Sequence, residues 1–284
     1  MYYEFVMGDV CNYELLIHNY ELLSMDYISL GKTKLLVSKT AFGAECFDCR
    51  EIEAFGEEAD EKACALVHQA YSGGINFFDT SHSRPVCEKR LGAALHGIRQ
   101  NVILATKTSS QSPVEIRHDL NESLDALESD YVDLYQIENP LIVPRKDGKD
   151  GIYNELSAMR DKGLIRHIGL ATDSYELACE AAQTGLYEVV QFPFSMISPE
   201  SFADLVSYCE KNEVGCIAMQ PLNGGILNNI PLAFGFFTQY ENVVPVWGAH
   251  TDAELHQILY LTDNPPVIDK KFSSEVEQLR QFFN

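Results

Sequence analysis

The sequence predicts a closed (β/α)8 barrel. Eight short apolar runs alternate with eight helix-length segments, no shift in composition interrupts them, and each crossover is just long enough for one helix. That combination favours closure over an open doubly wound sheet.

Residues 1–24 precede the alternation. Segment 2–7 reads as a strand and 13–23 as a short helix, yet nothing later depends on either, so 1–24 are expected to form an extension and 25–284 one barrel domain. Segments 26–30 and 35–38, separated by Gly31-Lys32-Thr33-Lys34, read as a hairpin. Strand-like runs follow at about 39–43, 75–79, 102–107, 132–138, 166–171, 187–192, 214–219 and 243–247. Each is succeeded by a helix-like segment, at about 58–72, 87–97, 113–128, 152–162, 174–184, 199–212, 229–239 and 252–262. The joints carry Gly, Pro, Ser or Asp, as in Thr172-Asp173-Ser174 and Gly248-Ala249-His250-Thr251-Asp252, where a side-chain oxygen can accept the free amides of a helix start. Loops 45–57 and 140–151 are long enough to face a substrate. In the tail, 269–284, the spacing of Phe272, Val276, Leu279 and Phe282 suits one face of a last helix.

Three successive strands end on an ionisable group. Gly74-Ile75-Asn76-Phe77-Phe78-Asp79-Thr80 ends on Asp79, Val102 to Lys107 on Lys107, and Val132 to Glu138 on Glu138. A single charge there would be an ordinary cap where a strand meets water. Three in a row, at the end of a parallel sheet where ligands bind, point to one shared site.

The chain of 284 residues is 46% hydrophobic and 22% charged, enough for a large core and incompatible with disorder as its main state. Lys and Arg total 21 against 42 Asp and Glu, and the formal charge of -21 would repel nucleic acid or an anionic membrane surface. No apolar run approaches the roughly 18 residues of a spanning helix, and the N-terminus lacks the pattern of a signal peptide, so a cytoplasmic protein is the default expectation. The eight cysteines are scattered as reduced core thiols are, without a disulfide framework. Cys46 and Cys49 in the first loop could meet His82 and Cys87 in the second as a metal site, but one CxxC is a weak signal and coincidence is the favoured reading.

The strand ends carry a family resemblance. Gly74 to Thr80, Ala105-Thr106-Lys107, Asp130 to Ile137, Gly163 to Gly169, Val190-Gln191 and Pro221-Leu222-Asn223-Gly224-Gly225 resemble, in the correct order, the signatures of the aldo-keto reductases. The likeness is greatest to the branch that often carries a C-terminal iron-sulfur module, which this chain lacks. It implies a (β/α)8 barrel, a small-molecule carbonyl or hydroxyl substrate, and NADPH or NADH bound across the strand ends. It also implies four catalytic positions, an Asp, a Tyr, a Lys and a His, in which a hydride reaches a carbonyl carbon while a positioned acid protonates its oxygen.

Asp79 and Lys107 match two of these positions. The Tyr position is Arg84, and Glu88 and Leu91-Gly92 keep the register, so no gap restores a tyrosine. The His position is Glu138; a Glu there is found in family members that reduce steroid double bonds, although those keep their Tyr. Glu138 should hold a proton if apolar groups surround it and stay ionised beside Lys107, and Arg84 would favour the ionised form.

For the cofactor, Gln191 matches the nicotinamide contact, Thr172 offers a hydroxyl, Met219 stands at the stacking position, and Gly43, Gly248, His250 and Thr251 complete the expected contacts. No Lys or Arg follows strand eight. Asp252 and Glu254 stand there instead, which disfavours NADPH more than NADH, while the helix start at Thr251 could hold a pyrophosphate.

The resulting expectation is an NAD(P)-linked oxidoreductase in which Asp79 orients Lys107 and either Lys107 or Glu138 donates the proton, with Arg84 available for an anionic substrate. The alternatives are a catalytically silent barrel kept for binding or regulation, and Schiff-base chemistry at Lys107, which two neighbouring carboxylates oppose. Oligomeric state is not legible.

Overall fold

The computed structural model describes residues 25–283, so the strand and helix read in 1–24 lie outside the described residues. It begins with an antiparallel hairpin, β1 (Tyr27–Ser29) and β2 (Leu36–Ser38), in register Tyr27 opposite Ser38. Eight parallel strands then close on themselves: β3 (Ala41–Gly43), β4 (Phe77–Asp79), β5 (Ile103–Thr108), β6 (Val132–Glu138), β7 (Ile165–Ala171), β8 (Val189–Pro193), β9 (Gly215–Met219) and β10 (Val243–Trp247), which pairs back to β3. These are the eight runs expected from the sequence, with ends shifted by two residues at most.

The helices between them also follow the expected order. The loop after β3 holds one short turn, α1 (Arg50–Glu53), before α2 (Ala59–Ser72). Then come α3 (Pro85–Leu95), α4 (Pro113–Ala126), α5 (Ile152–Asp161), α6 (Tyr175–Thr184), α7 (Ser201–Lys211), α8 (Ile230–Thr238), α9 (Asp252–Asp263) and α10 (Lys270–Phe283). Ser112, Ser174, Asn229 and Thr251 cap α4, α6, α8 and α9 by accepting an amide of the first turn. At α7 Glu200 occupies the cap position without a side-chain bond.

Alternation along the strands divides the core in two. An inner layer of Ala41, Phe77, Ala105, Leu134, Val189, Ile217 and Val244 fills the barrel, while Phe42, Phe78, Tyr135 and Val190, one residue on, and Leu104, one residue before Ala105, face the helices. The hairpin closes the bottom of the inner layer with Leu30 and Val37. Its turn depends on Gly31: φ is +54°, and a Cβ would stand 2.3 Å from the Gly215 nitrogen, so only glycine allows this approach. Lys32 N then donates to Glu213 O at 2.7 Å, fixing the plug to the strand above it.

In the tail helix Phe272 and Val276 are buried and Leu279 packs beside them, as its spacing predicted. Phe282 departs from that expectation and is 80% exposed, packing edge-on against its neighbour Phe283.

Candidate active site

One more step of the same alternation builds the site. Two residues above the inner layer, Gly43, Asp79, Lys107, Gln191 and Met219 point into the barrel again, and Glu138 does so at the end of β6. They line a cavity of about 540 Å³ at the carboxyl ends of the strands. Thr172, Gly248 and His250 line it as well.

Lys107 is the centre of charge. Its Nζ donates to Asp79 Oδ2 at 2.9 Å, to the Thr80 carbonyl at 2.8 Å and to Glu45 Oε1 at 2.8 Å, which uses all three ammonium protons. Gln191 Nε2 donates to the same Asp79 oxygen at 3.0 Å, and its own oxygen accepts from Gln136. Asp79 Oδ1 is buried and has no hydrogen-bond partner among the described residues. Ser81 Oγ donates to Glu138 Oε2 at 3.3 Å, and its chain neighbour His82 is held by an N–H to the Lys107 carbonyl at 2.9 Å.

Three carboxyl groups therefore stand around one buried ammonium, Asp79 buried with it, Glu138 half-buried and Glu45 partly open to water, and each shifted group moves toward keeping its proton. Burial pushes the Asp79 carboxyl above the usual aspartate range against the pull of Lys107, and Glu45 adds to the rise. Glu138 is raised in the same way, by burial first, against Lys107 and with Glu45 and Asp79. For Lys107, burial alone would lower the value, but Asp79, Glu45 and Glu138 outweigh it and the net direction is upward. A lysine held as ammonium is no nucleophile, which removes the physical basis for a Schiff base.

Two of the expected residues stand apart from this cavity. Arg84 caps α3, is half exposed, and its Nη1 bonds Asp48 Oδ2 at 3.0 Å, so that a carboxylate of the first loop already satisfies it. Thr251 faces its own helix: its hydroxyl accepts the Glu254 amide at 3.2 Å, while Glu254 Oε2 accepts the His250 amide at 2.8 Å. Of the amides at this helix start, that of Glu254 is thus engaged by the chain's own Thr251, while Glu254 in return holds the His250 amide just before the cap. Beside them Asp252 is paired with Lys62 at 2.6 Å.

Several lining residues were not named as site residues from the sequence, although Leu222, Gly224 and Gly225 belong to a run quoted there for the family resemblance. Glu45 enters from the loop after β3, and Gln220, Leu222, Gly224 and Gly225 enter from the loop after β9. The second group had a signal in the turn-forming Pro-Leu-Asn-Gly-Gly run, whose Asn223, Gly224 and Gly225 take positive φ, as does Gln220 just before it. Glu45 had none beyond its place in a long loop. Loop 140–151 contributes no lining residue, and only Asn139 from its start reaches the cavity.

The suggested thiol and imidazole metal site does not assemble. Cys46 Sγ bonds the Gly43 and Ala249 carbonyls, and burial raises its thiol; Cys87 Sγ bonds the Glu45 carbonyl and burial pushes it up to about 12. His82 instead turns toward α4.

Comparison with known proteins agrees with this architecture. The chain is 30% identical over 218 residues to L-galactose dehydrogenase of Arabidopsis thaliana, covering 70% of this chain and 66% of that one. It is 26% identical over 219 residues to the uncharacterized oxidoreductase YqkF of Bacillus subtilis, covering 72% and 67%. The chain thus spans about two thirds of the length of these relatives. Among solved structures, the holo form of the aldo-keto reductase AKR11C1 from Bacillus halodurans superposes with a TM-score of 0.75 over 90% of this chain and 96% of that one, at 19% identity. The aldo/keto reductase family model matches residues 42–233, from the first barrel strand into the helix after the seventh, and the chain belongs to that family.

Proposed function

We propose that this chain is a nicotinamide-linked oxidoreductase interconverting a small carbonyl compound and its alcohol, with carboxyl groups in place of a phenol as its proton-handling set. The observation that carries the reading is the buried Lys107–Asp79 pair with Glu45 and Glu138 beside it at the mouth of an aldo/keto reductase barrel.

The lining residues Gln191, Thr172, Met219 and Gly43 fit a nicotinamide nucleotide. The start of α9 fits a 2′-phosphate poorly, since Asp252 and Glu254 stand there and the nearby Lys62 is committed to Asp252. This supports NADH over NADPH. When bound, the reduced nicotinamide supplies a hydride to the carbonyl carbon.

The chain's own groups supply the rest. Asp79 and the Thr80 carbonyl hold Lys107, whose ammonium stabilises negative charge on the substrate oxygen once that oxygen takes the place of Glu45. Glu138, whose hold on its proton burial and its acidic neighbours strengthen, gives that proton to the same oxygen and is left as carboxylate; in the oxidative direction it accepts the proton back. With four acids, Glu45, Asp79, Glu138 and Asp173, lining the cavity beside Lys107, a neutral hydroxyl-bearing substrate is favoured over an anion, and Arg84 does not offset them. The sugar dehydrogenase among the relatives supports the same class.

A second reading is a silent barrel kept for binding. It is favoured by the missing phenol and by the complete occupation of the Lys107 protons. Titrating the protein with NADH and with NADPH, followed by nicotinamide fluorescence, separates the two. The oxidoreductase reading expects NADH to bind at micromolar concentration and NADPH at least about tenfold more weakly, the effect of about 1.4 kcal/mol of charge repulsion. No binding of either at millimolar concentration removes it and leaves the silent barrel.

A further inference from the structure

Outside the cavity, one group of side chains has the composition of a metal centre. His82 lies on the loop after β4, and Asp119 and Glu122 lie three residues apart on α4, so that helical spacing puts both carboxylates on the side facing that loop. One ligand atom from each of the three lies within 4.8 Å of the others. His82 Nε2 is 3.0 Å from Glu122 Oε2, and its Nδ1 is 3.7 Å from Asp119 Oδ2. Among the described residues no Lys or Arg forms an ion pair with either carboxylate; the only basic partners are His82 and His118, the latter 3.3 Å from the same Glu122 oxygen.

Charge and support both favour a divalent ion here. Two carboxylates flank the one imidazole, and one of them, Asp119, is buried. Asp119 is also oriented from behind by the Thr108 hydroxyl, which donates to it, as the outer partners of metal-ligating carboxylates do. A nitrogen donor with two oxygens selects a zinc-class transition ion over calcium or magnesium, which prefer oxygen alone.

We infer that His82, Asp119 and Glu122 form a binding site for a zinc-class divalent ion that clamps the loop after β4 to α4. The loop is the one whose Thr80 carbonyl accepts from Lys107 and whose Ser81 hydroxyl donates to Glu138, so the clamp would fix the wall of the cavity without entering it. The site stands whether or not the chain is an oxidoreductase.

The test uses Co²⁺ as probe on the full chain after treatment with a chelator and its removal, read by calorimetry and by visible d–d absorption. The wild type should take up one equivalent per chain, and His82→Ala and Glu122→Gln should each bind at least about tenfold more weakly. Glu122 is exposed, so Glu122→Gln keeps the fold and its circular dichroism, and the comparison holds even if His82→Ala is unstable. Failure of the wild type to bind Co²⁺ at submillimolar concentration, or equal binding by wild type and Glu122→Gln, overturns the site.

Discussion

Replacing Lys107 with Met tests the buried charge cluster most directly. Lys107 and Asp79 are 2% and 3% exposed, and one Asp79 oxygen already lacks a partner, so the substitution would strand a carboxylate in the interior. Removing one member of a buried ion pair costs about 3–5 kcal/mol. At roughly 2–4 °C per kcal/mol for a chain of this size, the melting temperature should fall by about 6–20 °C near neutral pH. The loss should also depend on pH. Asp79 has a folded value raised above its unfolded one, so it binds more protons folded than unfolded, and its contribution to stability is greatest in acid and declines as pH rises through the folded value. Without Lys107, which pulls the value down, that decline becomes steeper, and the variant should approach the wild type on acidification. Urea unfolding of the wild type, Lys107→Met and Asp79→Asn/Lys107→Met at pH 5 and pH 7.5 measures this. A loss below about 1 kcal/mol at pH 7.5, or one that is the same at both pH values and unrelieved by Asp79→Asn, would refute a buried, mutually dependent pair.

Other outcomes follow from the same geometry. Glu45→Gln removes one negative charge from the cluster, so the value of Glu138 should fall toward the ordinary range, and any pH–rate profile should show its Glu138-dependent limb displaced to lower pH; an unmoved limb would mean that Glu138 does not sense Glu45. Glu45→Gln should also lower the Lys107 value, because Glu45 is among the charges that raise it, and a titration of the lysine Nζ followed by NMR checks this independently of any substrate. Thr251→Ala removes the cap of α9 and should cost about 1 kcal/mol, visible as a small fall in melting temperature; no fall would argue that Glu254 alone satisfies that helix start.

Much of this protein is legible one residue at a time. The strands show as apolar runs because each is buried on both sides, by the inner layer and by the helices, and alternation alone carries Phe77, Phe78 and Asp79 to the interior, the helices and the cavity in turn. That periodicity, with the order of the strand ends, determined the barrel and brought Asp79, Lys107, Glu138 and Gln191 to one mouth. What it left open depends on loops and on partners distant in the chain, where no period constrains direction. Tertiary contact decided that Arg84 pairs with Asp48 and leaves the cavity, and that Glu45 takes the third proton of Lys107. It also decided that the Glu254 carboxylate turns back to the His250 amide, and that His82 meets Asp119 and Glu122 rather than cysteines. The physical reason is the same throughout: a strand fixes where a side chain points through its own backbone, whereas a loop side chain goes to whichever opposite charge or free amide the assembled fold places within reach.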